Sequence, residues 1–356
     1  MNADALNLLK DLVEAPSPSG FESMVRKMLA DRMAEYCDEV RHDVMGNVIG
    51  VLNADAETRV MLAGHCDEIG LMLTNISDDG YLYVGSVGGQ DPSLLLAQRV
   101  IIHNERGRVP GVIGRKPIHL MHADKDEMGK APKIHELWID IGAKDKKDAQ
   151  KAVAVGDYVT VDAGFLRLRN NIVAARAFDD RVGAFAVAEA MRRLAENKAK
   201  LKVAVFGVAT TQEELGLRGA RTSAYGVDPH AGIAVDVGFA SDHPTINKNI
   251  TGDLSLGKGP IIAKGPNINP VLGRVLLETA RKKRIPHQIE AAPRATGTDA
   301  NAIQMTRAGV AAALISVPNR YMHSPVEVVS LKDVENTSKL MAEGVLALKK
   351  QQDFVP

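Results

Sequence analysis

The sequence predicts an α/β protein whose chain is interrupted by an inserted all-β domain. Near both ends of the 356-residue chain, segments with apolar residues at helical spacing alternate with almost wholly apolar strands, as at 181–197 and 203–209. Between about residues 69 and 164, short alternating segments are separated by Gly and Asp turns, a pattern typical of a small β-barrel or sandwich. We therefore predict one α/β domain from residues 1–66 plus 166–356 and an inserted β domain at 67–165.

The boundaries of the predicted α/β elements follow from apolar periodicity and from breaks at Pro and Gly. A first helix at residues 3–15 ends at the Pro- and Gly-containing stretch 16–20, and a second helix follows it. Strands at 47–53 and 59–63 are predicted as a pair. The elements after residue 170 are helix 181–197, strands 202–209 and 231–236, helix 269–284, strands 287–291 and 311–317, and helix 331–350.

Six short strands are predicted in the insert, at 71–76, 81–84, 100–104, 109–113, 137–141 and 158–161. Within the insert, His119 and His122 are close in sequence, but the surrounding stretch is rich in Lys and Asp. We interpret this stretch as an exposed loop and not as a separate metal site.

Composition excludes several classes of function. The formal net charge is zero and no long basic run is present, so neither a nucleic-acid nor a membrane partner is predicted. No apolar stretch approaches the roughly 18–20 residues that a membrane span needs. The two cysteines, Cys37 and Cys66, form no disulfide framework, so a reduced cytoplasmic protein is expected. Aromatic residues make up only 4% of the chain, which argues against a polysaccharide-binding cleft.

Two adjacent glutamates, Glu213 and Glu214, follow a buried strand. Open α/β sheets keep their active sites at the carboxyl ends of such strands. Two like charges there are unfavourable unless a positive group is close. Because neighbouring residues point in different directions, one glutamate can bind a metal ion while the other acts as a free base.

Further acidic and histidine residues lie at the other predicted strand ends or in adjoining loops. Each has an ordinary structural explanation, as a turn residue, a helix cap or a surface histidine. Together they suit zinc, cobalt or manganese, and their number fits two adjacent ions. They are His65, Asp67, Asp179, Asp180, Asp236 and His323.

Five motifs in order resemble a known family. They are GHCDEIG at 64–70, AFDDR at 177–181, ATTQEELGLRG at 209–219, GTD at 297–299 and HS at 323–324. Together they resemble the cytosolic metallo-aminopeptidases of metallopeptidase family forty-two, which comprises the TET aminopeptidases and bacterial glutamyl aminopeptidases. The resemblance covers essentially the whole chain. It departs at Cys66, where methionine or alanine is more usual.

The resemblance implies a zinc-exopeptidase-like α/β sandwich with a PDZ-like or barrel-like insert that serves oligomerisation and access to the active site. It implies two divalent metal ions, zinc first with cobalt or manganese as alternatives, and dimers that assemble into tetrahedral dodecamers. The expected substrates are peptides. The implied roles are metal binding by His65 and Asp236 at one ion and by Glu214 and His323 at the other, bridging by Asp179, orientation of His65 by Asp67, and general base catalysis by Glu213.

The expected reaction is hydrolysis of N-terminal residues by a water that the two ions activate and Glu213 deprotonates. A deacylase or deacetylase on the same scaffold is the enzymatic alternative, and a non-enzymatic metal-binding scaffold is the other. The segment 295–301 is either a helix cap at Thr298 or Asp299 or part of the substrate pocket. The preferred N-terminal side chain, whether acidic, aliphatic or basic, is left open.

Overall fold

The strands form two separate assemblies in the computed structural model, which describes residues 1–121 and 131–356. An eleven-stranded mixed sheet and a closed six-stranded barrel account for the strands of the described residues. The strands are β1 (Glu39–His42), β2 (Val48–Leu52), β3 (Arg59–His65), β4 (Gly70–Ile76), β5 (Leu82–Val87), β6 (Arg99–Asn104), β7 (Gly107–Ile113), β8 (Trp138–Asp140), β9 (Tyr158–Val161), β10 (Leu166–Arg167), β11 (Ile172–Ala175), β12 (Ala204–Thr210), β13 (Ala231–Phe239), β14 (Ile261–Lys264), β15 (Gln288–Ala291), β16 (Ala311–Arg320) and β17 (Glu327–Ser330).

Helices pack against the sheet, and the last of them follows the final strand. Those in the described ranges are α1 (Ala3–Glu14), α2 (Ser23–Ala34), α3 (Ile118–Met121), α4 (Lys146–Ala152), α5 (Phe178–Glu196), α6 (Arg218–Val227), α7 (Lys248–Thr251), α8 (Pro270–Lys282), α9 (Asp299–Gln304) and α10 (Leu331–Leu346). None of the helices in the described ranges combines the length and the apolar character that a bilayer span requires.

The large sheet has its most apolar strands at its centre. Its order is β1-β2-β12-β3-β13-β16-β17-β11-β10, and β14 joins it beside β16 with β15 outside. The run β12-β3-β13-β16 is parallel, and all of β12 is buried, as expected for strands covered on both faces. The predicted α/β fold with an all-β insert is confirmed. The predicted pairing of strands 47–53 and 59–63 is wrong, because β12 lies between β2 and β3.

The backbone of α5 packs directly against β3, because Gly64 of that strand has no side chain. A Cβ atom on Gly64 of β3 would lie 2.6 Å from the carbonyl carbon of Gly183 in α5. A Cβ atom on Gly183 would lie 2.1 Å from the Asp180 carboxylate. A side chain at Gly64 would therefore push α5 away from the strand that carries His65, and one at Gly183 would displace the Asp180 carboxylate.

The barrel is formed by β4-β5-β8-β7-β6-β9 and has its own apolar core. The loop at 15–22, which precedes α2, packs against the barrel. The Phe21 ring of this loop stacks on Tyr158 of β9 at 5.1 Å and lies 6.0 Å from the ring of His103 in β6. The same loop contains Ser17 and Ser19, whose hydroxyls donate to the Cys66 carbonyl and to the Asp67 carboxylate.

Candidate active site

The sheet brings the predicted residues to one edge. His65 is the last residue of β3 and is paired in parallel register with Thr210, the last residue of β12. The two glutamates follow β12, and Asp236 lies within the neighbouring strand β13. Short connections after β11 and β16 carry Asp179 and His323 to the same place. Parallel strands thus place their carboxyl ends together, as expected for an α/β sheet.

Asp179 lies between the two imidazole rings. Its Oδ1 atom is 3.1 Å from Nε2 of His65, and its Oδ2 atom is 3.3 Å from Nε2 of His323. Nε2 of His323 is also 3.4 Å from Oε1 of Glu214, and Nε2 of His65 is 3.8 Å from Oε2 of Glu213. One carboxylate therefore offers one oxygen to each histidine, the arrangement that a bridging ligand requires.

The other nitrogen of each imidazole ring faces a backbone carbonyl. Nδ1 of His65 lies 3.2 Å from the carbonyl oxygen of Asp67, and Nδ1 of His323 lies 2.8 Å from that of Gly89. A ring that donates its Nδ1–H to a carbonyl keeps its Nε2 lone pair free for a metal ion. Gly89 follows β5, so a barrel loop orients one of the two histidines.

The Asp67 carboxylate holds the backbone of both glutamates. Its Oδ1 accepts the N–H of Glu213 at 3.0 Å, and its Oδ2 accepts the N–H of Glu214 at 3.2 Å and the hydroxyl of Ser19 at 2.6 Å. Oδ1 also lies 3.5 Å from Nδ1 of His65. Asp67 is fully buried, so these contacts replace its hydration.

Asp180 and Asp236 lie next to His65 in the cluster. The Asp179–Asp180 peptide bond is cis. The Asp180 carboxylate accepts the N–H groups of His65 at 3.2 Å and of Gly183 at 3.0 Å. Asp236 accepts only its neighbour's N–H, from Val237 at 2.7 Å, among the contacts of the described chain. It thus retains acceptor capacity beside His65.

Carboxyl groups outnumber imidazole groups in this cluster, and their pKa values are shifted as a result. Burial, followed by the charge of Asp179, raises the pKa of Glu214 to about 7. Burial also raises the pKa of Glu213 to about 10, although His65 opposes the shift. The hydrogen bond with Asp179 raises the pKa of His323 to about 9 in spite of burial. Such an excess of buried carboxyl groups favours a cation at this position.

The donor atoms of the cluster also favour a cation. Three groups of residues each offer ligand atoms within 4.8 Å of one another, and their donors are oxygen and imidazole nitrogen without cysteine. This chemistry suits a divalent ion such as zinc, cobalt or manganese. The groups are His65 with Glu213 and Glu214, His65 with Asp180 and Asp236, and Asp179 with Glu214 and His323.

Three contributors were missed by the sequence reasoning: Ser19, Gly89 and Glu327. Gly89 acts through its backbone, so no side-chain motif reveals it. Glu327 accepts the N–H of Asp179 at 2.8 Å and that of His323 at 3.0 Å. Burial raises the pKa of Glu327, and the charge of Asp179 adds to this, while the two N–H donors oppose it. A carboxylate four residues after His323 was the available signal.

The structure also locates Asp299, Cys66 and His119. Asp299 is buried in the first turn of α9, where Thr298 caps the helix and the Thr210 hydroxyl donates to Asp299 Oδ2 at 2.5 Å. Cys66 is fully buried in an apolar cluster, and burial raises the pKa of its thiol. His119 lies in α3 and is exposed, whereas His122 lies outside the described residues.

A mixed sheet with carboxylates and imidazoles clustered at its strand ends is the arrangement expected of a metal-dependent hydrolase. The family model described as M42 glutamyl aminopeptidase matches residues 46–340. The chain is 41% identical to the lysyl aminopeptidase of Pyrococcus furiosus over 351 residues, which are 98% of this chain and 99% of that protein.

Solved structures agree with this match. A TET aminopeptidase from a marine-sediment archaeon of the Thaumarchaeota superimposes with a TM-score of 0.92 at 37% identity, covering 98% of each chain. The TET1 peptidase of Pyrococcus horikoshii, which can assemble into a tetrahedron or a large octahedral shell, gives 0.84 at 32% identity, covering 95% of this chain and 98% of its own. The chain therefore belongs to the M42 family of aminopeptidases. It is a peptidase that hydrolyses N-terminal residues from peptides, and metal dependence is typical of its family.

Proposed function

We propose that this aminopeptidase works with two divalent metal ions held by five side chains. His65 and Asp236 would hold one ion, Glu214 and His323 the other, and Asp179 would bridge them. The observation that carries the proposal is the position of Asp179, with one oxygen 3.1 Å from His65 and the other 3.3 Å from His323. Zinc is the first candidate, and cobalt or manganese suits the same donors.

The bound ions would supply Lewis acidity that polarises the scissile carbonyl and lowers the pKa of the attacking water. Glu213 accepts the proton of that water and passes it to the leaving amino group, a contribution of about 10²–10⁴-fold. Nearby positive charge would bring the pKa of Glu213 down from its raised value, so that the group is a base at neutral pH. Asp67 keeps Glu213 and Glu214 in place through their backbone N–H groups.

The proposed metal ligands do not identify the preferred N-terminal side chain. Relatives differ, since the family description names glutamyl and the Pyrococcus furiosus protein is a lysyl aminopeptidase. The test is an activity profile over lysyl-, glutamyl- and leucyl-anilides, with zinc, cobalt and manganese in turn. An N-acetylated peptide serves as the control, and cleavage of that substrate alone would instead support a deacylase.

We also propose that residues 1–66 plus 166–356 form the catalytic domain and that the insert at 67–165 serves oligomerisation and active-site access. The contact of Gly89 with His323 supports a role of the insert at the site.

A homo-oligomer is proposed from the assembly of the TET1 peptidase, with a dimer-based tetrahedral dodecamer as its form. Light scattering after size-exclusion chromatography tests it, and a monomer would refute it. Two free cysteines support a cytoplasmic location.

A further inference from the structure

The buried carboxylate of Glu327 contacts the backbone of two candidate metal ligands. Glu327 itself belongs to none of the candidate metal-binding groups among the described residues. Glu327 is only 2% exposed. One of its oxygens, Oε2, accepts the N–H of Asp179 at 2.8 Å, and the other, Oε1, accepts the N–H of His323 at 3.0 Å. Asp179 and His323 are 144 positions apart in the chain, yet the side chain of Glu327 accepts a hydrogen bond from the backbone of each.

The sheet explains how one residue can reach both. Glu327 is the first residue of β17, which lies between β16 and β11. It is directly opposite Ala175, the last residue of β11, and the chain reaches Asp179 four residues later. On its other side β17 pairs with the end of β16, three residues before His323. Glu327 thus lies at a strand end that adjoins both connections.

The backbone at His323 needs such support. Its φ angle is +58°, in the left-handed region that non-glycine residues seldom adopt. A conformation of this kind persists only where surrounding contacts over-determine it. Two such contacts are present, from Glu327 to the N–H of His323 and from the Gly89 carbonyl to its ring.

We propose that Glu327 is a positioning residue that fixes the spacing between Asp179 and His323 and thereby sets the affinity of the metal ion these residues share with Glu214. The inference rests on the proposed two-metal site. Glu327 binds through two backbone N–H groups, so neither its charge alone nor its bulk alone replaces it. Outer partners of metal ligands typically change metal affinity by about 10–100-fold when they are replaced.

Asp333 provides a matched control. It is fully buried and also accepts two backbone N–H groups, from Gly257 at 2.6 Å and Gly259 at 2.8 Å. It belongs to none of the candidate metal-binding groups found among the described residues. Asp333→Asn therefore removes the same kind of interaction, and the same charge, without touching Asp179 or His323.

The experiment measures Zn²⁺ binding to the intact chain by competition with a chromogenic chelator, together with the melting temperature of the metal-free protein. Glu327→Gln has the size of glutamate but turns one acceptor into a donor, and we expect one ion per chain to bind about 10–100-fold more weakly. Glu327→Asp keeps the charge but shortens the side chain, so it should also weaken that ion. Asp333→Asn should lower the melting temperature while Zn²⁺ affinity stays at the wild-type value.

Wild-type Zn²⁺ affinity in Glu327→Gln, or in Glu327→Asp if the glutamine variant does not fold, would overturn the inference while leaving the two-metal proposal intact. Full affinity in Glu327→Asp beside a loss in Glu327→Gln would also overturn it, because charge alone would then suffice. A wild-type chain that binds no Zn²⁺ would overturn the two-metal proposal as well.

Discussion

Replacing Asp67 by asparagine should reduce activity without unfolding the site, because asparagine keeps the shape of the side chain but loses one acceptor oxygen. Whichever way the amide turns, its NH₂ group faces either the N–H of Glu213, now at 3.0 Å, or that of Glu214, at 3.2 Å. A hydrogen bond to a charged group is worth about 1.5–3 kcal/mol. At about 1.36 kcal/mol for each factor of ten, that cost corresponds to a roughly 10- to 150-fold loss in kcat/KM.

The assay is kcat/KM on an aminoacyl-anilide with metal at saturation, with metal content measured on the same samples. Ser19→Ala is the graded comparison, since it removes only the hydroxyl that donates to Asp67 Oδ2 at 2.6 Å. This hydroxyl donates to the same charged carboxylate, so its loss should cost about 1.5 kcal/mol, the lower end of that range, which corresponds to a loss of roughly tenfold. An Asp67→Asn variant that loses less activity than Ser19→Ala would refute the reasoning.

Three further predictions concern stability, pH and metal. Gly64→Ala should lower the free energy of unfolding by about 3 kcal/mol through overpacking against Gly183, whereas Gly226→Ala, with open space around it, should raise it by up to about 1 kcal/mol, as denaturant midpoints would show. Burial lowers the pKa of His103 to about 4, below its ordinary value near 6.5, so its neutral form contributes stability above pH 6.5 that is lost as the pH falls toward 4. Relative to His103→Gln, the wild type should lose on the order of 2 kcal/mol across that window in unfolding titrations, and parallel curves would contradict this. Dialysis against a chelator should abolish peptidase activity, and added zinc, cobalt or manganese should restore it; activity that survives dialysis would contradict metal dependence.

Most of the fold could be predicted because its central strands carry a strong apolar signal. Strands β12, β13 and β16 are long, buried and rich in Val, Ile and Ala, and their predicted positions agree with the structure within a few residues. Strands β1, β10, β11, β14 and β17 were missed. Each has only two to four residues, so periodicity over so short a segment carries little information.

The candidate site was readable to the extent that its residues are acidic or histidine side chains at strand ends. The structure brings His65, Asp179 and His323 together, while their roles as ligands remain predictions. The supporting contacts could not be read in the same way. Gly89 contributes a carbonyl from the barrel, and Glu327 lies on a strand that the sequence did not predict. Both depend on the pairing of distant segments, which a local pattern does not encode.

The central claim is that Glu213 is the base and Asp179 is a metal ligand, and one paired measurement tests it most directly. Metal content and turnover are determined on Glu213→Gln and Asp179→Asn prepared side by side with the wild type. We predict that Glu213→Gln retains its metal and loses activity by at least about 100-fold, whereas Asp179→Asn loses metal and activity together. Wild-type turnover in Glu213→Gln, or full metal content in Asp179→Asn, would contradict the account.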